Sequence, residues 1–469
     1  MATQRNMQAS MFKLAKDHTI FEQVKDYALD YLGGVFEREV YPNEQALENL
    51  KHFDEPMPLE ANDPVKMLKL LHDYGSPATV ATTGGRYFGL VVGGSFAPVM
   101  AVKWLADVWD QLAPLYVTSP IMGKLESVCE QWMNELLGLP KNCAMGLVSG
   151  TSMATMAGFA AARYELLRRV GWDVNTNGLF GAPPIRVVVG AEAHSSVFKA
   201  LAILGLGKDR VELVPVDEQG RMRADLVPPL DGNTLLILQA GNVNSGSFDP
   251  IDELCELANK ANAWVHVDGA FGLWAAASEN KRHLTNGMEK ADSWSVDGHK
   301  TLNTPYDCGI VICRDRNAMI TAMQASGDYI LYSDQRDGML YSPDMSRRGR
   351  AVELWATLKL LGKRGVQELV DGLCERASQF AEEIKAEGFI ILNDVVFNQV
   401  LVTCDSPEET ATTLRNLQRS GECWCGSGKW HNTPVIRVSV CSWATTAEDI
   451  SRTVRAFVKA RKAFSKGNS

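Results

Sequence analysis

Between about residue 76 and residue 335, short apolar runs rich in β-branched residues alternate with stretches of helical spacing. That alternation limits the chain to a mostly parallel sheet with crossover helices. The strands read most clearly at Arg186 to Val189, Leu235 to Gln239, Trp264 to Val267 and Ile310 to Cys313, with another from Cys143 to Val148. One helix is equally legible: Ser119-Pro120 opens it, Leu125, Val128, Cys129, Trp132 and Leu136 form its stripe, and Gly138 and Pro140 stop it. In such a sheet ligands collect outside the carboxyl ends of the strands, so residues just past each strand are the ones to inspect.

The flanks differ from this middle. Up to about residue 75 the spacing of Phe21, Val24, Tyr27, Ala28 and Tyr31 ahead of Gly33-Gly34 predicts a helical arm. After about residue 336 come a basic segment, a long helix through Leu354 to Leu361 and a strand from Val435 to Val440, the pattern of a smaller α+β domain. The expected division is 1–75, 76–335 and 336–469, and 469 residues are enough for more than one core. A formal charge of −9 argues against a polyanion-binding surface and for a small-molecule substrate. No apolar run approaches a membrane span, the start lacks a signal-peptide core, and the ten cysteines form no secreted framework, so a cytoplasmic enzyme is expected.

The chemistry concentrates in two passages. Trp264-Val-His-Val-Asp-Gly-Ala ends a strand in Asp268, and Ser295-Val-Asp-Gly-His-Lys ends the next in His299-Lys300. A pyridoxal cofactor needs a lysine amine for its Schiff base and a carboxylate against its pyridine nitrogen. An ion pair at about 4 Å corresponds to about 4 kcal/mol at an effective dielectric of about 20, enough to keep that nitrogen protonated. Upstream, Ser149-Gly150-Thr151-Ser152 turns from a strand into a helix, where free N–H groups and the helix dipole favour a phosphate. Alone, each feature has a bland alternative: a lysine past a strand is ordinarily solvated, and a loop histidine such as His194 is ordinarily satisfied locally. Their order along the chain is what carries the reading.

With these residues in view, the chain resembles the group II pyridoxal-dependent amino-acid decarboxylases from about Thr83 into the C-terminal domain. His299-Lys300 is similar to that family's cofactor lysine with its phosphate-side histidine, Asp268 to its ring-nitrogen acid, and Ala270 to the small residue beneath the ring. Ala193-His194-Ser195-Ser196 resembles the segment whose histidine stacks on the cofactor. Arg86-Tyr-Phe-Gly, Gly93-Gly-Ser, Trp109-Asp-Gln and Arg347-Arg348-Gly-Arg350 resemble further family segments. The resemblance implies a fold type I, aspartate aminotransferase-like α/β architecture and pyridoxal 5′-phosphate as cofactor. It also implies decarboxylation of an L-amino acid through an external aldimine and a quinonoid, with Gly150, Thr151, Ser152 and His299 anchoring the phosphate. A tyrosine on a loop serves that family as proton donor. Here Tyr332 and Tyr341 are the candidates, with Tyr341 preferred for its nearness to Arg347-Arg348.

Two departures bear on the pocket. Leu90-Val91, after Phe88, stand where many aromatic decarboxylases have an aromatic pair, so the expected substrates have aliphatic or small polar side chains. Gly241-Asn242-Val243-Asn244 stands where the family commonly has a Thr pair, and Asn242 or Asn244 would replace the hydroxyl contact. Arg437, in a strand, is weighed as a partner for a substrate carboxylate, and Arg347, Arg348 and Arg350 as a helix-start charge cluster. Asp249 and Pro250 read as helix capping. Cys423, Cys425 and His431 have poor zinc spacing, so no metal is assigned. Competing readings are another pyridoxal reaction (lyase, decarboxylative carbon–carbon bond formation, aldehyde synthesis or transamination) or a non-catalytic paralogue. The apolar arm suggests a homodimer.

Overall fold

The computed structural model describes residues 7–467 except 326, 328, 329 and 331, with side chains up to residue 463. Its strands, in chain order, are β1 (Tyr87–Phe88), β2 (Ala144–Val148), β3 (Arg186–Gly190), β4 (Glu212–Val214), β5 (Thr234–Gln239) and β6 (Trp264–Asp268). They continue with β7 (Ser293–Asp297), β8 (Gly309–Cys313), β9 (Ile390–Ile391), β10 (Gln399–Thr403), β11 (Trp424–Trp430) and β12 (Thr433–Ser439).

Seven of them form one sheet in the order β2-β8-β7-β6-β5-β3-β4. β3 to β7 run parallel, whereas β8 is antiparallel to both its neighbours, which leaves β2 pointing the same way as the parallel set. The strands read from the sequence fall here within a residue or two of their expected ends. Both faces are covered: β2, β5, β6, β7 and β8 are buried along their whole length, which explains their unbroken apolar runs. The polar exceptions within them are paired. His266 on β6 meets the hydroxyls of Ser293 and Ser295 on β7, and burial pushes its pKa down to about 3.

A second, five-stranded sheet has the order β1-β11-β12-β10-β9. Its edge strand β1 comes from Tyr87-Phe88, more than three hundred residues upstream of its parallel partner Trp424-Cys425. Phe88 is thereby buried in the core of this smaller sheet, together with Cys423 and Cys425. Those two thiols are core packing, and His431 is directed to the carbonyl of Glu218.

The long helix of the C-terminal part spans Ala351–Ala386 and is broken at Gly362, whose φ of 60° and ψ of −178° are not helical. Its approach segment is held by ion pairs. Arg347 and Arg336 share the buried Glu126, Arg348 pairs with Asp307 and Glu353, and Arg350 pairs with Asp307. The three arginines are thus committed to the protein itself. Asp249 is also reassigned. It does not cap the following helix, because its two carboxylate oxygens accept the N–H groups of Met222 and Gln239, each at 2.7 Å. At the amino end, helices Met7–Ala15 and Thr19–Gly34 bury none of their residues. No helix among the described residues is long and apolar enough to cross a membrane.

Candidate active site

The parallel strands deliver their following loops to one edge of the large sheet, and the candidate residues sit on those loops. β2 leads through Ser149-Gly150 into the helix Thr151–Arg169, β3 leads to His194, β6 ends in Asp268, and β7 ends in Asp297 just before His299-Lys300. Adjacent strands lie about 5 Å apart, so residues far apart in sequence become neighbours. The charged groups are close enough to act on one another: Asp268, Lys300 and Arg437 all act on His194, and Asp297 acts on Asp268.

Lys300 is 22 % exposed, and its Nζ lies 3.1 Å from Asp297 Oδ2. Asp297 also receives the N–H of Thr151 on Oδ1 at 2.7 Å, and His299 Nε2 is 3.5 Å from Oδ2. The ring of His299 accepts the Cys308 N–H on Nδ1 at 3.0 Å and stacks on Tyr306 with centroids 4.2 Å apart. Burial lowers its pKa. The hydroxyl of Thr151 is buried and has no hydrogen-bond partner, at the first turn of a helix of nineteen residues. A phosphate oxygen is the kind of acceptor that this hydroxyl lacks, whereas the N–H groups of Thr151, Met153 and Ala154 are already taken by Asp297 and Gly150. Ser152 beside Thr151 is exposed.

Asp268 is buried, and burial raises its pKa, while His194 and Lys300 pull it down. The one hydrogen bond to its carboxylate among the described residues is from the Ala270 N–H, at 3.2 Å. A buried carboxylate with no cation in contact costs free energy unless a partner is supplied. A protonated ring nitrogen is such a partner, so the residues present fit pyridoxal phosphate at both its ends. His194 caps the helix Ser195–Ile203: Nδ1 accepts from the Ser196 N–H and lies 2.7 Å from the Ser196 hydroxyl. That use of Nδ1 leaves the ring's proton on Nε2 in the neutral form, and desolvation holds the pKa down.

Other expected contacts are not brought together. Asn242 is buried, and its carboxamide is spent on the loop: Oδ1 accepts the N–H groups of Asn244 and Ser245, and Nδ2 donates to Glu192 O. Phe88 and Val91 are core residues, in the small and the large core respectively, and Leu90 is 62 % exposed. The case against aromatic substrates therefore loses its geometric footing. Tyr341 is buried near the amino end of β2, opposite to the site. Arg316 Nη1 donates to its hydroxyl at 3.0 Å, Arg316 Nη2 reaches Cys143 O, and Arg336 lies over its ring. The hydroxyl of Tyr332 donates to Ala325 O at 2.6 Å, so neither tyrosine stands at Lys300.

Two residues escaped the sequence reading. Asp297 was visible three positions before the lysine, an acid and an amine on one strand end. Asn303 gave no such signal. Its Oδ1 accepts the N–H groups of Gly94 and Trp443, and its Nδ2 donates to the carbonyls of Lys300, Thr301 and Cys441. It ties the lysine loop to the Gly93-Gly94 loop and to the segment after β12. Gly93 is itself required, since a Cβ there would meet Lys300 O at 2.1 Å. Arg437, on β12, donates from Nη1 to Val243 O at 3.1 Å and keeps a buried Nε without a partner.

Comparison with known proteins gives the family and the fold. The family described as pyridoxal-dependent decarboxylase conserved domain matches residues 50–403. An aromatic-L-amino-acid decarboxylase of Drosophila lebanonensis is 29 % identical over 382 residues, covering 75 % of this chain and 92 % of its own. The acidic amino acid decarboxylase GADL1 of Mus musculus is 28 % identical, covering 76 % of this chain and 66 % of its own. Among solved structures, Oryza sativa TDC with PLP and tryptamine superposes with a TM-score of 0.87 at 20 % identity, covering 95 % of this chain and 98 % of its own. Mouse CSAD superposes at 0.82 with 21 % identity, covering 93 % and 98 %. The shared fold is that of the fold type I pyridoxal enzymes.

Proposed function

Because this chain belongs to the pyridoxal-dependent decarboxylase family, whose cofactor is pyridoxal 5′-phosphate, we propose that it converts an L-amino acid to the primary amine and CO2. The bond broken is that between Cα and the carboxylate carbon, and a proton takes the place of CO2 at Cα. Pyridoxal phosphate, when bound, supplies an electron sink for the pair left at Cα. The observation that carries the reading is the buried, unpaired Asp268 facing the amine of Lys300 across the loops of β6 and β7.

Each role falls to a residue already placed. Lys300 provides the amine that holds the cofactor. Asp268 keeps the ring nitrogen protonated, and Ala270 leaves room beside it. His194 limits one face of the ring and excludes water there. Gly150, Thr151, Ser152 and His299 hold the phosphate, with the free Thr151 hydroxyl as one donor. Arg437 offers its unpartnered Nε to a substrate carboxylate, a charge-assisted bond that orients the leaving group. Asn242 and Tyr341 carry no step, since both are committed to structure. The working unit is a homodimer in which the exposed N-terminal arm packs on the second copy.

Lys300→Ala tests the assignment. The variant is expected to lose the visible absorbance and the borohydride-reducible linkage of the cofactor, together with turnover. A variant that keeps a reducible linkage and full CO2 release would remove Lys300 from this role. A panel of amino acids assayed for both CO2 and amine then tests the reaction: aldehyde with ammonia, or a product larger than the substrate, would replace decarboxylation by another reaction on the same scaffold.

A further inference from the structure

Two carboxylates approach Lys300, and its amine is paired with only one of them. Asp297 Oδ2 lies 3.1 Å from Nζ, whereas Asp268 makes no ion pair within 4 Å among the described residues. Asp297 is held firmly. It is buried, its other oxygen takes the Thr151 N–H, and its backbone carbonyl takes the indole N–H of Trp274 at 2.9 Å. The carboxylate cannot turn away without breaking the junction between β7 and the helix Thr151–Arg169. Nothing in the proposed reaction uses it.

We propose that Asp297 is a positioning residue that seats the ammonium of Lys300 whenever this amine is not bonded to the cofactor, holding it off Asp268 and restraining its capture of the cofactor aldehyde. The inference rests on the assignment of Lys300 as the cofactor lysine. The seat divides the labour of the two acids: Asp297 takes the lysine, and Asp268 stays open for the ring nitrogen. It also sets a cost on capture. The ammonium must first release one proton to water. The neutral Nζ then attacks the aldehyde carbon, the C=N bond forms, and the carbonyl oxygen leaves as water with the two remaining amine protons. A carboxylate in contact with Nζ opposes the first of these events. The other charged and titratable groups that face Lys300 are His299 on its own loop, Asp268 from β6, His194 from the β3 loop and Cys441 beyond β12. None of these sits within ion-pair distance of Nζ, so a neutral residue at 297 leaves the amine without a counter-charge in contact.

The test uses the cofactor-free full chain of the wild type, Asp297→Asn and Asp297→Ser, mixed with pyridoxal phosphate and, separately, with pyridoxal. The Asn variant keeps an acceptor for the Thr151 N–H. The rate at which visible absorbance grows is recorded between roughly pH 6 and pH 10. In both variants capture at neutral pH is expected to be faster by about threefold or more, with either aldehyde. An unchanged capture rate with only weaker binding would make Asp297 a structural strut and overturn the proposal, as would loss of folding in both variants. A faster rate seen with pyridoxal phosphate but not with pyridoxal would place the effect at the phosphate and overturn it too. A wild type that forms no reducible linkage at Lys300 would instead overturn the functional reading beneath it.

Discussion

Asn303 adopts a φ of 59° in the left-handed region that asparagine tolerates, and from there its carboxamide meets five backbone groups. Asn303→Ala would take the side-chain partner from the N–H groups of Gly94 and Trp443 and from the carbonyls of Thr301 and Cys441, while the Lys300 carbonyl keeps the backbone N–H of residue 303. The expected loss is about 2 to 4 kcal/mol, read by denaturant unfolding of the cofactor-free chain; a loss under about 0.5 kcal/mol would show that water replaces the amide at no cost. Asp249 offers a pH-dependent test. Burial pushes its carboxyl up to about 6, so the folded chain holds this proton more tightly than the unfolded chain does. Stability from this group is full below the unfolded value near about 4 and is lost as pH rises through about 6, a span of roughly 3 kcal/mol. The stability difference between wild type and Asp249→Asn should therefore shrink, or change sign, from pH 4.5 to pH 7.5. A difference constant across that range would contradict the assigned burial penalty. At this scale Lys300, Asp268 and Thr151 were candidates from residue type and order, and His194 became one only through the family resemblance. Asn303 and Asn242 could not be sorted that way. One holds the lysine loop and the other a neighbouring loop, and only the partners of their amides tell a staple from a ligand contact.

The elements of the large sheet were legible because burial on both faces forces continuous apolar runs, and such runs bounded by turns have few other uses. The short strands were not. β1 has two residues, Tyr87 and Phe88, and its pairing with Trp424-Cys425 depends on a partner far along the chain that no local pattern announces. The helix Ala351–Ala386 shows the same limit. Its apolar spacing continues past Gly362, yet the backbone there leaves the helical region. Two glycines in this helix predict opposite outcomes. At Gly362 a Cβ would meet nothing within 4 Å, but the positive φ makes any L side chain strained, so Gly362→Ala should destabilise by about 1 kcal/mol. Gly372 also has open space and an ordinary helical φ, so Gly372→Ala should stabilise by about 0.5 to 1 kcal/mol. Urea midpoints of the two variants decide the matter, and equal signs would mean that the break at Gly362 is not a feature of the folded chain.

At the scale of the whole molecule, the apolar surface argues for a second copy. The arm that the sequence marked as helical buries nothing of its own, and Met7, Phe12 and Phe21 are each more than half exposed. The helix Ala97–Trp109 adds Trp104, Leu105 and Val108, the last 72 % exposed. Single exposed apolar residues are normal, but two arm helices without a buried position and a third with one are not. A fully buried phenylalanine contributes about 1.5 to 3 kcal/mol relative to exposure, so a few such residues are enough to hold a dimer against the cost of association. Sedimentation equilibrium at micromolar concentration is expected to give twice the 51.5 kDa chain mass for the wild type. Phe12→Asp combined with Phe21→Asp should shift it toward the chain mass, because each aspartate would have to be desolvated in the interface. The monomeric variant, if the arm only joins copies, should still bind pyridoxal phosphate at Lys300, since every cofactor contact named above comes from one chain. A wild type that sediments as a monomer with the cofactor bound would remove the second copy from the proposal, and a dimer unaffected by both substitutions would move the interface away from the arm.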